Sequence, residues 1–130
     1  MTQSPLPRLA GAILAVGSFA FVASALPHST APGQEDMELG AEVYRTQCDA
    51  CHGPEGKGDG PAARFLETTP RDLTGGAWMY VEEINVEQVA KIVADGIPGT
   101  EMEPFGELLL EEEMAAVAAY VIAQFAPSAE

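Results

Sequence analysis

The sequence predicts an all-α fold, one small domain of about four to five helices that follows a separate N-terminal segment. Apolar residues recur at spacings of three and four around 36–50, 85–95 and 111–125, which is typical of helices with one buried face. No stretch alternates apolar and polar residues as a half-buried strand does. Because no internal repeat is present, we expect a single folded unit over residues 36–130.

The first 25 residues have the pattern of an export signal. One charged residue, Arg8, precedes the uncharged stretch 9–26, and Ala23 and Ala25 flank Ser24 as in a cleavage site. The alternative is an uncleaved membrane anchor, since 18 residues lie near the lower end of the roughly 17–25 that span a bilayer as a helix. We favour cleavage after Ala25, and both interpretations export the domain to a periplasmic location, either soluble or tethered.

Residues 26–35 are rich in Pro, Ser, Thr and Gly and predict a flexible linker, in which His28 is interpreted as solvated. The first helix is expected over 36–50 and is followed by a glycine-rich loop over 53–60 and a short helix over 61–67. A third helix is expected over 85–95, capped by Asn85 and ended by Gly96. The last helix carries one apolar stripe, made of Met114, Val117, Ala118, Val121, Ile122 and Phe125.

The charge of the chain excludes one class of partner. From Leu26 onward there are 5 basic and 20 acidic side chains, a net charge of −15. Such a surface is unsuited to nucleic acid, whose phosphates require basic side chains. It also argues against adhesion to anionic lipid, so a membrane contact is expected only through the N-terminal segment. Two interpretations stay open: a basic protein partner, or a soluble surface that repels its own copies.

The two cysteines stand in the motif C-x-x-C-H, formed by Cys48, Cys51 and His52. A disulfide between them would close a very short loop and stabilise little. A thioredoxin-like redox motif needs a βαβ context, and a zinc site needs about four ligands where this motif supplies three. The motif is also the attachment signature of a c-type haem. Residues at i, i+3 and i+4 share one helix face. The two thiols can therefore form thioether bonds to the haem while the imidazole reaches the iron from the same side.

A second axial ligand is sought among Met79, Met102 and Met114. Met114 belongs to the apolar stripe of the last helix, and Met79 follows Trp78 as a packing residue. Met102 stands in "DGIPGTEMEPFGE", where two prolines and three glycines predict a stiff loop. A loop methionine without apolar neighbours at helical spacing is a poor core residue, so Met102 is the candidate ligand.

With these pieces in place, residues 36–125 resemble a class I mono-haem c-type cytochrome. The matching segments are "GAEVYRTQCDACHG" (40–53), "GKGDGP" (56–61), "PRDLT" (70–74), "GIPGTEMEPF" (96–105) and "EEEMAAVAAYV" (111–121). The resemblance implies one covalent haem c, held by Cys48 and Cys51. It implies His52 as the proximal ligand and Met102 as the distal ligand.

The resemblance also implies that the carbonyl of Pro61 accepts a hydrogen bond from the His52 ring, and that Gly40, Tyr44 and Tyr120 lie where the first and last helices cross. Two features depart from the family pattern. Glu103 replaces the proline that commonly follows the ligand methionine, and the last helix lacks a Ser, Thr or Asp cap.

Three further residues are weaker candidates for contact with the haem. Arg71 is expected either to pair with a haem propionate or to be an ordinary surface arginine. Trp78 and Tyr80 are expected to wall the haem, to hydrogen-bond a propionate, or simply to pack in the core.

These features predict one-electron transfer in an exported respiratory or photosynthetic-type chain, or as the haem subunit of a dehydrogenase or oxidase complex. The partners are then redox proteins with a basic docking surface, and the protein is a carrier, not an enzyme. The alternative is a haem-based sensor of small ligands in which the sixth ligand is labile.

Overall fold

The computed structural model describes residues 33–75, 78 and 84–127. Within these residues it has no strand, and the predicted all-α fold class is confirmed. The helical elements in chain order are α1 (Gln34–Val43), a π-helical turn (Tyr44–Cys48), α2 (Asp49–His52), a 3-10 turn (Ala63–Phe65), α3 (Val86–Asp95) and α4 (Glu111–Phe125). Predictions made for residues 1–25, His28, Met79 and Tyr80 lie outside the described residues.

Helix α1 begins at Gln34, two residues before the predicted start and inside the expected linker. The main-chain N–H of Gly33 donates to the Asp36 carboxylate at 3.0 Å. Asp36 therefore lies in the first turn and satisfies a donor that would otherwise have no partner at the helix end. Acidic side chains in this turn, Glu35 and Asp36, also suit the positive end of the helix dipole.

A π-helical turn joins α1 to α2, where the sequence predicted an uninterrupted α-helix to residue 50. The Asp49 N–H donates to the Tyr44 carbonyl five residues earlier. The Thr46 hydroxyl bonds the Glu42 carbonyl at 2.9 Å and so satisfies a main-chain acceptor of the widened turn. Such insertions are frequent at functional sites, and this one ends at Cys48, the first residue of the C-x-x-C-H motif.

The short helix predicted over 61–67 is reduced to a single 3-10 turn, Ala63–Phe65. The N–H of Leu66 donates to the carbonyl of Ala63, three residues earlier, at 3.2 Å. Leu66 then adopts an extended conformation, with φ −88° and ψ 147°, which ends the turn. The segment is a loop with one tight turn because no apolar face longer than this turn is available for burial.

Helices α3 and α4 begin as the local sequence dictates. The Asn85 side chain accepts from the Gln88 N–H at 2.9 Å, which confirms the predicted cap, and Gly96 ends α3 with φ +65°. At α4 no side chain of the capping residue bonds the first turn; instead the Glu113 carboxylate accepts from the Leu110 N–H at 2.8 Å. Glu113 therefore satisfies the N–H of the capping residue itself, while no cap side chain accepts from the N–H groups of the first turn.

The core lies along α4, which packs against both α1 and α3, and α1 and α4 cross in close contact. A Cβ atom placed on Gly40 would lie 2.2 Å from the Ala116 carbonyl oxygen and 2.7 Å from the Tyr120 Cβ. The Tyr44 ring lies 5.6 Å from that of Tyr120 and 5.2 Å from that of Phe125. The predicted placement of Gly40, Tyr44 and Tyr120 at this crossing is confirmed. Buried apolar side chains surround it: Val43, Val93, Met114, Val117 and Val121.

Helices in the described part of the chain are all too short or too polar to cross a lipid bilayer.

The helix crossing yields a first prediction. Gly40→Ala is expected to destabilise the protein by about 1–3 kcal/mol, because the added methyl group overpacks the backbone contact. In an exposed helix the same change stabilises by roughly 0.5–1 kcal/mol, so the sign is diagnostic. The measurement is guanidinium unfolding of the haem-loaded protein. Gly33→Ala is the control, since its Cβ would meet no atom closer than 3.7 Å; equal effects at both positions would contradict the close crossing.

Candidate haem site

The predicted haem-binding residues line one cavity of about 660 Å³. This volume falls within the roughly 300–1,000 Å³ typical of small-molecule and cofactor sites. Cys48, Cys51 and His52 lie on one part of its wall and Met102 on another. The rest of the wall is largely apolar and includes Val89, Ile92, Val93, Ile97, Phe105 and Val117. The donor set and the apolar lining fit a covalently attached haem, which needs two thiols, axial ligands and a water-poor pocket.

The two cysteines are half-buried free thiols. Burial, with a smaller contribution from Cys51, raises the pKa of the Cys48 thiol to about 11. Reactive cysteines of redox motifs have lowered pKa values, because the thiolate is the nucleophile. The environment of Cys48 therefore does not favour thiol–disulfide exchange, and the redox alternative for the C-x-x-C pair loses support.

His52 is oriented by a main-chain carbonyl. Its Nδ1 lies 3.2 Å from the carbonyl oxygen of Arg71, and since a carbonyl only accepts, Nδ1 carries the proton. Burial lowers the pKa of the imidazole, while the hydrogen bond to Arg71 acts in the opposite direction. The neutral tautomer with a free Nε2 lone pair is the form that binds iron, and a carbonyl at the other nitrogen raises its basicity.

The expectation that Pro61 supplies this carbonyl is wrong. Pro61 is exposed and does not line the cavity. The segment 70–73 approaches His52 instead because it packs on the glycine-rich turn: the Leu73 N–H donates to the Gly56 carbonyl at 2.6 Å. At Gly58, φ is +75° and a Cβ atom would lie 2.2 Å from the Pro70 carbonyl oxygen. Only glycine permits this close approach, which places the Arg71 carbonyl within hydrogen-bond distance of His52 Nδ1.

The loop that carries Met102 is held by its own main chain. The Ile97 N–H donates to the Met102 carbonyl at 2.8 Å, and the Met102 N–H donates to the Thr100 hydroxyl at 3.1 Å. At Gly96 a Cβ atom would lie 2.5 Å from the same Met102 carbonyl, so the loop folds tightly against the end of α3. After the loop, the Phe105 N–H donates to the Val93 carbonyl at 3.0 Å. Met102 itself is half-buried and lines the cavity.

Arg71 and Trp78, the other candidates for contact with the haem in the described part of the chain, both line the cavity. The Arg71 side chain is half-buried and lines the cavity, a position compatible with the predicted propionate contact. Trp78 also lines the cavity, and its Nε1 donates to the Leu73 carbonyl at 3.0 Å. That hydrogen bond holds the segment 70–73, which also contains the Arg71 carbonyl bonded to His52. No residue type signals the Arg71 carbonyl, because every residue carries a main-chain acceptor; the run of glycines over 53–60 is an indirect signal.

Comparison with solved structures finds similar folds among c-type cytochromes. A chain of the reducing HAO-like protein complex of Kuenenia stuttgartiensis is 29% identical, with a TM-score of 0.65, over 72% of this chain and 45% of that one. Cytochrome c6C of Synechococcus sp. PCC 7002 is 26% identical, with a TM-score of 0.53, over 67% and 94% of the two chains. Cytochrome cL of Methylophaga aminisulfidivorans, 19% identical with a TM-score of 0.59, shares the fold over 73% and 59%.

The fold and cavity thus define a class I c-type cytochrome domain with one covalently bound haem c. Residues 35–121 match the family described as cytochrome c oxidase, cbb3-type, subunit III, and the chain belongs to that family. The chain spans about half the length of the Kuenenia and Methylophaga chains that it resembles.

The approach of segment 70–73 to the glycine turn yields a second prediction. Gly58→Ala is expected to destabilise the haem-loaded protein more than Gly99→Ala, since both residues have φ near +77° but only Gly58 meets backbone atoms. The left-handed conformation costs about 1–2 kcal/mol in each variant, and the collision adds about 1–3 kcal/mol at Gly58. Guanidinium unfolding measures the difference.

The reduction potential is the readout specific to His52. Displacing the Arg71 carbonyl lowers the basicity of the imidazole, so the potential of Gly58→Ala should rise above that of Gly99→Ala. Equal potentials and equal stabilities in the two variants would contradict this arrangement.

Proposed function

We propose that this protein carries single electrons, with a haem c bound through Cys48 and Cys51 and with His52 and Met102 as the axial ligands. The observation that carries the proposal is that these four side chains line one apolar cavity. When bound, the haem iron supplies a one-electron redox couple, and His/Met ligation raises its potential.

The residues of the chain have defined tasks in this function. The Arg71 carbonyl holds the His52 ring in the tautomer that leaves Nε2 free. Hydrogen bonds within the loop of Met102 fix its main chain, so the side chain keeps one position with little ordering cost. The apolar wall contributed by α3 and α4 excludes water and limits the change in solvation when the charge of the site changes. A preformed loop of this kind favours a carrier over a sensor with a labile sixth ligand.

The surface charge supports redox partners with a basic docking surface. Three of the basic side chains are already paired with acidic neighbours, in Arg45–Glu42, Lys57–Glu55 and Lys91–Asp95. Their charges are thereby neutralised, and the remaining carboxylates dominate the long-range field. Exposed carboxylates close to the Met102 loop include Glu101 and Glu103. Such a field steers a basic partner and accelerates its association.

We further propose that the domain works outside the cytoplasm, as a single carrier or as the haem subunit of an oxidoreductase complex. The export-like N-terminal sequence supports the first part. The second is supported by the likeness to a chain of the reducing HAO-like complex and to cytochrome c6C.

A third prediction tests the axial ligands. The oxidised, haem-loaded protein is expected to show the long-wavelength charge-transfer band of a methionine–iron bond. Met102→Ala should abolish the band because it removes the sulfur ligand, whereas Met114→Leu, a volume-conserving change in the core, should keep it. Absence of the band from the parent protein would transfer support to the small-ligand sensor.

A fourth prediction tests electrostatic docking with two small oxidants of opposite charge. The rate of oxidation by the cation tris(1,10-phenanthroline)cobalt(III) should fall several-fold between low and physiological ionic strength, while that by the anion ferricyanide should rise. The net charge of −15 from Leu26 onward attracts the cation and repels the anion, and salt screens both interactions, so the two rates change in opposite directions. Rates that do not depend on salt for either oxidant would show that the acidic surface does not steer partners.

A further inference from the structure

Glu101, the residue before Met102, reaches across to a different loop. Its Oε1 accepts a hydrogen bond from the Glu67 N–H at 2.7 Å and lies 3.4 Å from the Thr68 nitrogen. Its Oε2 lies 3.3 Å from the same Thr68 nitrogen. One carboxylate thus accepts hydrogen bonds from two successive main-chain N–H groups, which are 34 and 33 residues away in sequence. Hydrogen bonds to an ionised acceptor of this kind are stronger than neutral ones.

Both loops joined by this carboxylate form the wall of the cavity. Leu66 and Thr68 line it from the first loop, and Thr100 and Met102 line it from the second. The second loop is attached to α3 near its two ends, through the Gly96 turn and the bond from Phe105 to Val93. Neither attachment reaches the opposite wall. Glu101 provides that link, close to the middle of the loop.

We propose that Glu101 is a positioning residue that holds Met102 in place as the distal ligand. The contact of its carboxylate with the N–H groups of Glu67 and Thr68, here called the Glu101 clasp, keeps the ligand loop against the facing loop. A thioether is a soft and adaptable ligand that competes poorly once its loop can move away. The clasp therefore reduces the fraction of time during which the sixth position is open. This inference rests on the proposed axial role of Met102.

The test measures how readily imidazole replaces the methionine in the oxidised, haem-loaded protein. Imidazole binding is followed by the loss of the methionine–iron charge-transfer band. Glu101→Ala is expected to bind imidazole on the order of 3- to 10-fold more tightly than the parent, an effect moderated by the exposure of the carboxylate. Glu101→Gln retains an acceptor oxygen and should restore most of the parent's behaviour.

Glu103→Ala is the matched control, because it removes the same charge from the other side of Met102. The Glu103 carboxylate makes no hydrogen bond within the described part of the chain. If loss of negative charge alone strengthened imidazole binding, the two alanine variants would behave alike, and that result would overturn the clasp.

A double-mutant cycle identifies the partner of the carboxylate. Glu67→Pro removes one N–H, and the preceding Leu66 already has the extended conformation that a proline requires. Glu101→Ala should strengthen imidazole binding less in the Glu67→Pro background than in the parent, since part of the interaction is already gone. Fully additive effects would show that Glu101 acts elsewhere.

Thermal unfolding separates positioning from general stability. If Glu101→Ala lowers Tm but leaves imidazole affinity unchanged, the role is structural and the proposal fails. If the parent itself lacks the charge-transfer band, the axial assignment of Met102 fails, and the clasp as a ligand-positioning device fails with it. If the parent has the band and Glu101→Ala takes up imidazole as the parent does, only the clasp is overturned.

Discussion

The close contact between α1 and α4 at Gly40 is the constraint on which the cavity depends. Helix α1 leads through the π-helical turn into the segment that carries both cysteines and His52. Helix α4 supplies Val117 and Val121 to the cavity wall. The separation of the two helices therefore sets the distance between the C-x-x-C-H motif and the apolar wall beside it. Tyr44, whose hydroxyl donates to the Gly53 carbonyl at 2.7 Å, connects this crossing to the end of α2.

The two sides of the cavity are held by different means. On the His52 side the acceptor is the main-chain carbonyl of Arg71. Gly58 positions it by allowing two loop segments to approach closely. On the Met102 side the loop bonds to itself and to α3, and its link to the facing loop is the carboxylate of Glu101. Main-chain bonds between packed segments are hard to open singly, while an exposed side-chain bond opens easily. The Met102 side is accordingly the side of the cavity that opens more readily.

Periodicity and composition predicted the parts of this fold that depend on local sequence. The cap at Asn85, the glycine that ends α3 and four buried residues of the α4 stripe, Met114, Val117, Ala118 and Val121, follow from residue types at fixed spacings; Ile122 and Phe125 of that stripe are half-buried, and Ala116 and Ala119 are buried outside it. Cys48, Cys51, His52 and Met102, proposed to hold the haem, could be selected from the sequence because cysteine, histidine and methionine carry chemistry that few other side chains share; in the structure they line one cavity. Both sets of predictions needed no knowledge of distant contacts.

What the sequence missed depends on contacts between distant segments. The π-helical turn is closed by the main-chain bond from Asp49 to Tyr44 and accompanied by the Thr46–Glu42 bond, and neither Tyr44 nor Thr46 predicts it by residue type. The carbonyl assigned to Pro61 belongs to Arg71, since the packing of Pro70 against Gly58 decides which segment reaches the imidazole. In the sequence Glu101 is one of 20 acidic residues, and its partners are main-chain N–H groups of Glu67 and Thr68, which no residue type reveals.

The use of a main-chain acceptor for His52 has a consequence for how this protein tolerates sequence change. Any residue at position 71 presents the same main-chain carbonyl, so substitution of this residue leaves the tautomer of His52 unchanged. Insertions and deletions are different, because one residue added between the Gly58 turn and Pro70 would shift the register and present another carbonyl or none. The loop over residues 59–69 is thus restricted in length, which is unusual for a surface loop.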